Sequence, residues 1–212
     1  KSFINSGTYK TVLVVGVDVH SRFVNWEDRS TCVLFGDGAG ALVLQQSEDG
    51  INDILALEMF ANGSKSSELK IPLTGKNCPL VESNDARSQH VSMNGREVYK
   101  FAVNIVPESL TQCLDKAGLK LEDLDYFVSH QANIRIIQAV QERLQLEDKQ
   151  VIANLEKYGN TSAASIPIAF KEAVENNLIN TPSNVAFCGF GAGLTWGTAI
   201  IRWRAKDKRK AE

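Results

Sequence analysis

Apolar residues along the chain fall into runs that are typical of buried strands and into stripes that are typical of helices. The run YKTVLVVGVD, Tyr9 to Asp18, is continuous and rich in β-branched residues, as a strand buried on both faces requires. Two later segments, TCVLFGDGAGALVLQQ (31–46) and NVAFCGFGAGLTWGTAIIRW (184–203), each join two apolar runs through a glycine turn. Glycine permits the positive φ of tight connections, so each segment predicts a β-hairpin.

Apolar positions at helical spacing predict three helices. The first spans 95–118, is closed by Gly118, and is expected to kink or restart at Pro107. The second begins near Gln131, just after the strand-like run DYFVS, and the third spans about 162–177. The apolar stripe of the second helix consists of Ile134, Ile137, Val140 and Leu144.

The order of strands and helices indicates an α/β protein with a duplicated half. The segments VLFGDGAGALVL and AFCGFGAGLTWGTAII share an apolar run, a Phe-Gly-x-Gly turn and a second apolar run. Too few residues precede Tyr9 to supply an opening strand and helix, so we expect part of the protein to precede Lys1. The predicted units are the end of the first half (1–50), a connecting segment (51–94), the second half (95–204) and a solvated, charged tail (205–212).

Composition and charge exclude several classes of protein. The 212 residues are 43% hydrophobic and 23% charged, with a formal net charge of −2, which is ordinary for a globular protein. This charge gives no overall attraction to nucleic acid or anionic lipid, and no apolar run approaches the ~20 residues of a membrane span. Four separated cysteines without CxxC spacing suggest neither a zinc site nor a disulfide framework: Cys32, Cys78, Cys113 and Cys188. We expect Cys32 and Cys188, which lie in strand runs, to be small buried hydrophobes.

The segment FVSHQANIRII places a titratable ring at the end of a strand. A buried strand gains little from such a ring, so the strand either delivers His130 to a site or ends on a capping or core histidine. Asn160, in the loop before the third helix, is a second candidate; its alternatives are a left-handed turn residue and a helix N-cap. The glycine turn GFGAG is followed by a strand rather than a helix, which argues against a dinucleotide site.

Four motifs in order, FGDGAGA, SHQANIRI, KYGNTSAASIP and GFGAGLTWG, resemble β-ketoacyl-acyl-carrier-protein synthase III, the enzyme that starts type II fatty-acid synthesis. The resemblance extends from Lys1 to about Trp203. It implies a thiolase-like α/β fold, five-layered when complete, in a homodimeric acyltransferase of the cytoplasm or the plastid stroma. It implies no metal or redox cofactor, with a CoA thioester as substrate.

The resemblance also implies a reaction, a decarboxylative Claisen condensation of a cysteine-bound acyl group with malonyl-acyl-carrier protein. His130 and Asn160 match the second and third members of a Cys-His-Asn triad, and the cysteine would lie upstream of Lys1. An imidazole N–H and an amide NH2 can both donate to the enolate oxygen without supplying a proton that quenches the carbanion. We therefore expect the isolated chain to be inactive.

Further positions match substrate contacts of the family. The backbone N–H near Ala192 is implied to line a hole for the acyl thioester oxygen, although a tight hairpin alone would also explain the turn. Arg29 matches an arginine beside the CoA adenine, or else it is a surface charge paired with Asp28. Matches to the walls of the acyl and pantetheine tunnel, which could also be core residues, are Phe35, Met93, Ala132 and Asn133.

Gln131 and Arg135 match positions implied to contact the acidic carrier protein; the alternative for Arg135 is a solvated position on a helix. Arg96 replaces an asparagine found in some members, and His20 stands where a tunnel-lining aliphatic residue is common, so neither the CoA contact nor the acyl-chain preference follows. The alternatives to this function are a polyketide or 3-hydroxy-3-methylglutaryl-type synthase, which the HQAN motif disfavours, and a truncated, non-catalytic partner subunit.

Overall fold

Strands of the computed structural model, which describes residues 1–72, 90–179 and 182–204, form three sheets within those ranges. Antiparallel strands β1 (Thr11–Asp18) and β2 (Gly38–Gln45) form the first. The second has the order β3-β8-β7-β6 and consists of β3 (Ile54–Ala61), β6 (Tyr126–Ser129), β7 (Ser183–Gly191) and β8 (Thr195–Trp203). A small third sheet pairs β4 (Leu69–Lys70) with β5 (Ser92–Met93).

One of the two predicted hairpins is confirmed and the other is wrong. Strands β7 and β8 pair antiparallel through the GFGAG turn, and β6 lies parallel to β7. Residues 31–34 instead form turns, and β1 is the only partner of β2 in the described part of the chain. The reason is that the backbone at 34–36 bonds to a distant loop: Leu34 O accepts from Asn160 N–H at 2.8 Å, and Gly36 N–H donates to Asn160 O at 2.9 Å.

Helix positions agree broadly with the sequence pattern. The helices are α1 (Ser2–Asn5), α2 (Gly95–Ala117), α3 (Ile134–Leu144), α4 (Leu155–Tyr158) and α5 (Ser165–Glu175). Helix α2 ends at left-handed Gly118 as predicted, but it continues through Pro107 without a restart. Helix α3 begins three residues later than predicted because the Asn133 side chain caps it, accepting from Arg135 N–H at 2.9 Å. The third predicted helix opens with a separate 3₁₀ turn, Ser162–Ala164.

The core has two layers of apolar side chains, one on each face of the four-stranded sheet. On one face α2 and α3 cover Phe127 and Ile200, both 0% exposed. On the other face α5 packs against Val128 and Val185, and its far side contacts β2 through Leu42. The described residues thus stack as helices, sheet, helix and sheet, with α5 between the two sheets.

Two features of the first 94 residues differ from what the sequence pattern alone indicates. Strand β3 lies inside the predicted connecting segment 51–94 and pairs with β8, so this segment contributes a strand to the four-stranded sheet. Strand β1 is not buried on both faces: Gly16 packs against Ala163, whereas Leu13 on the opposite face is 62% exposed.

The cysteines and the charged tail complete the comparison with the sequence. Cys188 is buried in β7 as predicted, and Cys32 is half-buried in a turn, not in a strand. Cys78 and the tail 205–212 lie outside the described residues. Within the described part of the chain, every helix is too short or too polar to cross a membrane.

Candidate active site

Strand β6 delivers His130 to the edge of the four-stranded sheet. Its backbone N–H donates to Cys188 O at 2.8 Å and so extends the parallel pairing of β6 with β7 by one residue. The ring packs edge-on against Phe190, with 5.2 Å between the ring centroids. Side chains at the carboxyl ends of parallel strands project into the crevice where α/β proteins bind ligands.

The His130 imidazole is neutral. The pKa of His130 is lowered from 6.5 to about 4, mainly by burial and to a smaller extent by Coulombic repulsion from His20, while Asp18 opposes the shift. Nδ1 lies 2.7 Å from Ser165 Oγ. Nε2 is therefore the ring nitrogen that a ligand can use.

Asn160 lies in the loop between α4 and the 3₁₀ turn, and its conformation is fixed from three sides. Its backbone bonds to Leu34 and Gly36, as described above, and its side-chain Oδ1 accepts from Ser162 N–H at 2.9 Å. The residues of this loop with positive φ are Gly159 and Ser162, so Asn160 is not a left-handed turn residue, the first alternative that the sequence left open. With Oδ1 engaged, the Nδ2 amide is the donor that remains for a ligand.

A cavity of about 520 Å³ brings His130 and Asn160 together. It is also lined by most of the residues predicted to bind substrate or carrier protein, namely Phe35, Met93, Ala132, Asn133 and Arg135. A more open cavity of about 630 Å³ reaches His130 from the β3 and β8 side, past Ser162 and Gly191. The histidine thus stands where two cavities meet.

Three predicted site residues lie outside the cavity walls. Ala192 is exposed in the β7–β8 turn, next to the cavity residue Gly191. Arg29 is exposed beside Ser30, which also lines the cavity. The alternative for Arg29, pairing with Asp28, is not found among the described residues, where the Asp28 carboxylate accepts from Ser30 and Thr31.

The third, Gln131, is buried and fully hydrogen-bonded. Its Nε2 donates to Ser129 O at 2.7 Å and to Ile152 O at 3.3 Å, and its Oε1 accepts from Asn154 N–H at 3.0 Å. A side chain that is 1% exposed and bonded in this way does not offer a contact to a carrier protein. Its geometry instead fixes the segment that follows His130.

Two residues, Ser165 and His20, contact predicted site residues although these contacts were not assigned from the sequence. Ser165 bonds to the catalytic candidate His130, and only its closeness to Asn160 in the motif NTSAAS could have indicated this. His20 stacks on Phe35 with 4.9 Å between centroids, and neither of its buried ring nitrogens has a hydrogen-bond partner among the described residues. The described residues also contain no cluster of three or more side chains suited to a metal ion.

The layered α/β fold, with a histidine and an asparagine in one cavity, is of the thiolase-like class. Residues 1–63 match the family described as 3-Oxoacyl-[acyl-carrier-protein (ACP)] synthase III, and residues 114–203 match its C-terminal domain. The chain belongs to this family.

Relatives and solved structures agree with this assignment. The chain is 50% identical to the β-ketoacyl-acyl-carrier-protein synthase III of Microcystis aeruginosa over 204 residues, which cover 95% of the chain and 61% of the relative. It is 44% identical to that of Porphyra umbilicalis over 205 residues, covering 95% and 62%. The crystal structure of the Aquifex aeolicus synthase matches with a TM-score of 0.85 at 44% identity, over 95% of this chain and 61% of that one. The chain thus spans about 60% of the length of these relatives.

Proposed function

We propose that this chain carries the decarboxylation site of a β-ketoacyl-acyl-carrier-protein synthase III, which condenses an acyl-CoA-derived acyl group with malonyl-acyl-carrier protein. The observation that carries the proposal is a pair of neutral donors in one cavity. His130 is uncharged and Asn160 has its oxygen engaged by Ser162, so each side chain can present an N–H to a ligand without carrying a positive charge.

The chemistry needs this pair. When the bond between the malonyl carboxylate and Cα breaks, its electrons pass into the thioester and leave an enolate, whose oxygen carries the negative charge. Two N–H groups that already face that oxygen stabilise the charge as it develops. The enolate carbon then attacks the carbonyl of the acyl thioester, the new C–C bond forms, and the C–S bond breaks so that the acyl-carrying cysteine leaves as its thiolate. A protonated imidazole could transfer its proton to that carbon instead, and the lowered pKa of His130 avoids this side reaction.

Neither of the two buried cysteines is suited to carry the acyl group. Burial raises the pKa of Cys188 to about 12, and burial also raises the pKa of Cys113. A thiol acts as a nucleophile through its thiolate, so both are inert at neutral pH. The cysteine that accepts the acyl group from acyl-CoA is therefore neither of these.

The lining of the cavity supports the proposed contacts with substrate and with the carrier protein. We assign the pantetheine and acyl walls to Phe35, Met93, Ala132 and Asn133, which line it, and the acyl oxyanion contact to the turn at Ala192. Arg135, exposed at the cavity, is assigned to the acidic carrier protein, and exposed Arg29 to CoA.

The proposal also includes homodimer assembly and a cytoplasmic or plastid location. Homodimer assembly stays a prediction from the family resemblance. Relatives from cyanobacteria and red algae support a cytoplasmic or plastid location. A priming β-ketosynthase of a polyketide pathway also shares the fold, with a TM-score of 0.85, but its 31% identity is lower than the 50% of the fatty-acid relative.

The test separates the two half-reactions in the active protein. Acyl-enzyme formation from radiolabelled acyl-CoA and CO2 release from malonyl-acyl-carrier protein are measured for His130→Ala and Asn160→Ala. We expect CO2 release to fall by about 10² to 10³ in each while acylation stays largely intact, and the double variant to lose far less than the product. His90→Ala, at an exposed histidine, is the matched control. Wild-type CO2 release in both single variants would refute the proposed site and favour a non-catalytic partner.

The carrier-protein contact has its own test. Arg135→Glu should raise the KM for malonyl-acyl-carrier protein with little effect on acylation, because the reversed charge repels an acidic protein but not a small thioester. Arg202→Glu, at another exposed arginine, controls for the change in net charge. An unchanged KM at low ionic strength would return Arg135 to a solvated helix position.

A further inference from the structure

Ser165 is the side chain in contact with the nitrogen of His130 that faces away from a ligand. It begins α5, it is 2% exposed, and its Oγ lies 2.7 Å from His130 Nδ1. Because the imidazole is neutral, it carries one proton, on either Nδ1 or Nε2. The direction of this hydrogen bond therefore decides which nitrogen can donate to a ligand.

The surroundings of Ser165 fix that direction. Its Oγ also lies 3.3 Å from the backbone N–H of Gln131, a group that can only donate. If Nδ1 donated to Oγ as well, the hydroxyl proton would have no acceptor, since the described residues provide none besides Nδ1. A buried O–H without an acceptor is unfavourable, whereas donation to Nδ1 satisfies every group.

We propose that Ser165 is a positioning residue, which donates its hydroxyl proton to Nδ1 of His130 and thereby holds the ring proton on Nε2. The value of this arrangement rests on the proposed function, because only the Nε2–H form can donate to an enolate oxygen in the cavity. Without the hydroxyl, the ring divides between its two forms, and the Nδ1–H form presents a lone pair to the enolate.

The charged and titratable groups near the ring do not compete with Ser165 for Nδ1. His20 and Asp18 act on His130 through space. The Asp18 carboxylate accepts from Ala163 N–H at 3.2 Å, and His20 stacks on Phe35. The hydroxyl of Ser165 is thus the group that selects the form of the ring.

The first experiment needs no substrate. The chain is labelled with ¹⁵N-histidine, and long-range ¹H–¹⁵N spectra at neutral pH identify the protonated nitrogen of His130, whose signals are assigned by their loss in His130→Gln. We expect Nε2–H in the wild type, a mixture or a switch to Nδ1–H in Ser165→Ala, and a return toward Nε2–H in Ser165→Thr, which restores a hydroxyl. A wild-type Nδ1–H form, or an unchanged form in Ser165→Ala, would overturn the proposal.

A matched control separates positioning from general loss of structure. Ser109 is also a buried serine on a helix, and its hydroxyl lies 2.7 Å from Thr198 Oγ1, in the core. Ser109→Ala should leave the His130 signals unchanged. Should Ser165→Ala not fold, the wild-type spectrum alone still decides the direction of the bond.

The second experiment distinguishes a failure of this inference from a failure of the proposed function. In the active protein, Ser165→Ala should lower CO2 release from malonyl-acyl-carrier protein about 10-fold to 100-fold, less than removal of an oxyanion donor, with acylation by acyl-CoA unchanged. A switched ring form with normal CO2 release would leave the positioning role intact and refute the catalytic role of His130. An unswitched form would refute the positioning role whatever the rate.

Discussion

The two main sheets of the molecule share a sequence pattern but differ in their surroundings. The segment 31–46, which supplies β2 to one sheet, and the segment 184–203, which supplies β7 and β8 to the other, both contain an apolar run, a Phe-Gly-x-Gly turn and a second apolar run. In the four-stranded sheet, helices cover both faces, and Val185 and Ile200 are 0% exposed. In the β1–β2 sheet, Leu13 and Val43 are 62% and 67% exposed. An apolar pattern therefore predicts a strand, while its burial depends on elements elsewhere in the fold.

The same comparison applies to the candidate site, which lies at the junction of the two regions. The buried sheet carries His130 at the end of β6. The exposed sheet and the turn before it hold the loop of Asn160, through backbone bonds at 34–36 and through contact of Gly16 with Ala163. The position of His130 thus depends on the buried four-stranded sheet, and the position of Asn160 depends on the more exposed β1–β2 sheet.

The largest difference between the regions should appear in stability. Phe127→Ala removes a fully buried ring from the four-stranded sheet and should lower the free energy of unfolding by about 3–5 kcal/mol. Leu13→Ala, at an exposed position of β1, should change it by less than about 0.5 kcal/mol. Urea unfolding of both variants tests this. A large loss for Leu13→Ala would show that the exposed face is covered in solution.

The buried region should also respond to acid through His130. Its pKa is about 4 in the folded chain and near 6.5 when unfolded, so between these values the unfolded chain binds a proton that the folded chain does not. Stability should therefore fall as the pH falls from 6.5 to 4, by up to about 3 kcal/mol from this group. Unfolding free energies at the two pH values, compared with those of His130→Gln, measure the contribution. An equal acid loss in the variant would exclude His130 as its source.

Local patterns predicted the end of α2 and the β7–β8 hairpin, since each depends on nearby residues. Gly118 ends α2 and the GFGAG turn forms the β7–β8 hairpin, as the sequence indicates. The hairpin predicted for the segment 31–46 does not form because the backbone of this segment bonds to Asn160, more than a hundred residues away. A pattern within the segment cannot indicate such a distant partner.

The site shows the same limit. His130 and Asn160 were recognised by motif and share a cavity, but Gln131, in the same motif, is buried and bonds to Ile152 and Asn154. The contact of Ser165 with His130 gave no signal in the sequence, because it depends on a helix that packs against the end of a distant strand. The motifs thus indicated the two proposed donors but not the side chain that contacts one of them.

A substitution at Gly16 tests whether the Asn160 loop depends on the β1–β2 sheet. A Cβ there would lie 2.3 Å from the backbone oxygen of Ala163, so Gly16→Ala should push β1 away from this loop and destabilise the protein by about 1–3 kcal/mol. Amide hydrogen exchange at Ser162, whose N–H bonds to Asn160 Oδ1, should become faster. Gly63→Ala, where an added Cβ meets nothing within 4 Å, is the matched control. Unchanged amide exchange at Ser162 would show that the conformation of the Asn160 loop does not depend on the β1–β2 sheet.

The smallest expected effect is the electrostatic influence of His20 on the pKa of His130. His20 lowers the pKa of His130, so His20→Leu should raise it, although burial, the larger cause, keeps it below 6.5. The substitution removes two buried ring nitrogens that have no partner among the described residues, so it should not lower stability. Asp18→Asn should move the pKa of His130 in the opposite direction, because Asp18 raises it.

Titration of ¹⁵N-labelled His130 in both variants measures the two shifts, and their opposite signs guard against a general loosening of the site. A structural change alone would admit water to the ring and raise the pKa of His130 in both variants, since burial is what lowers it most. Shifts of the same sign in the two variants would therefore mean that His20 and Asp18 act on His130 through packing rather than through charge.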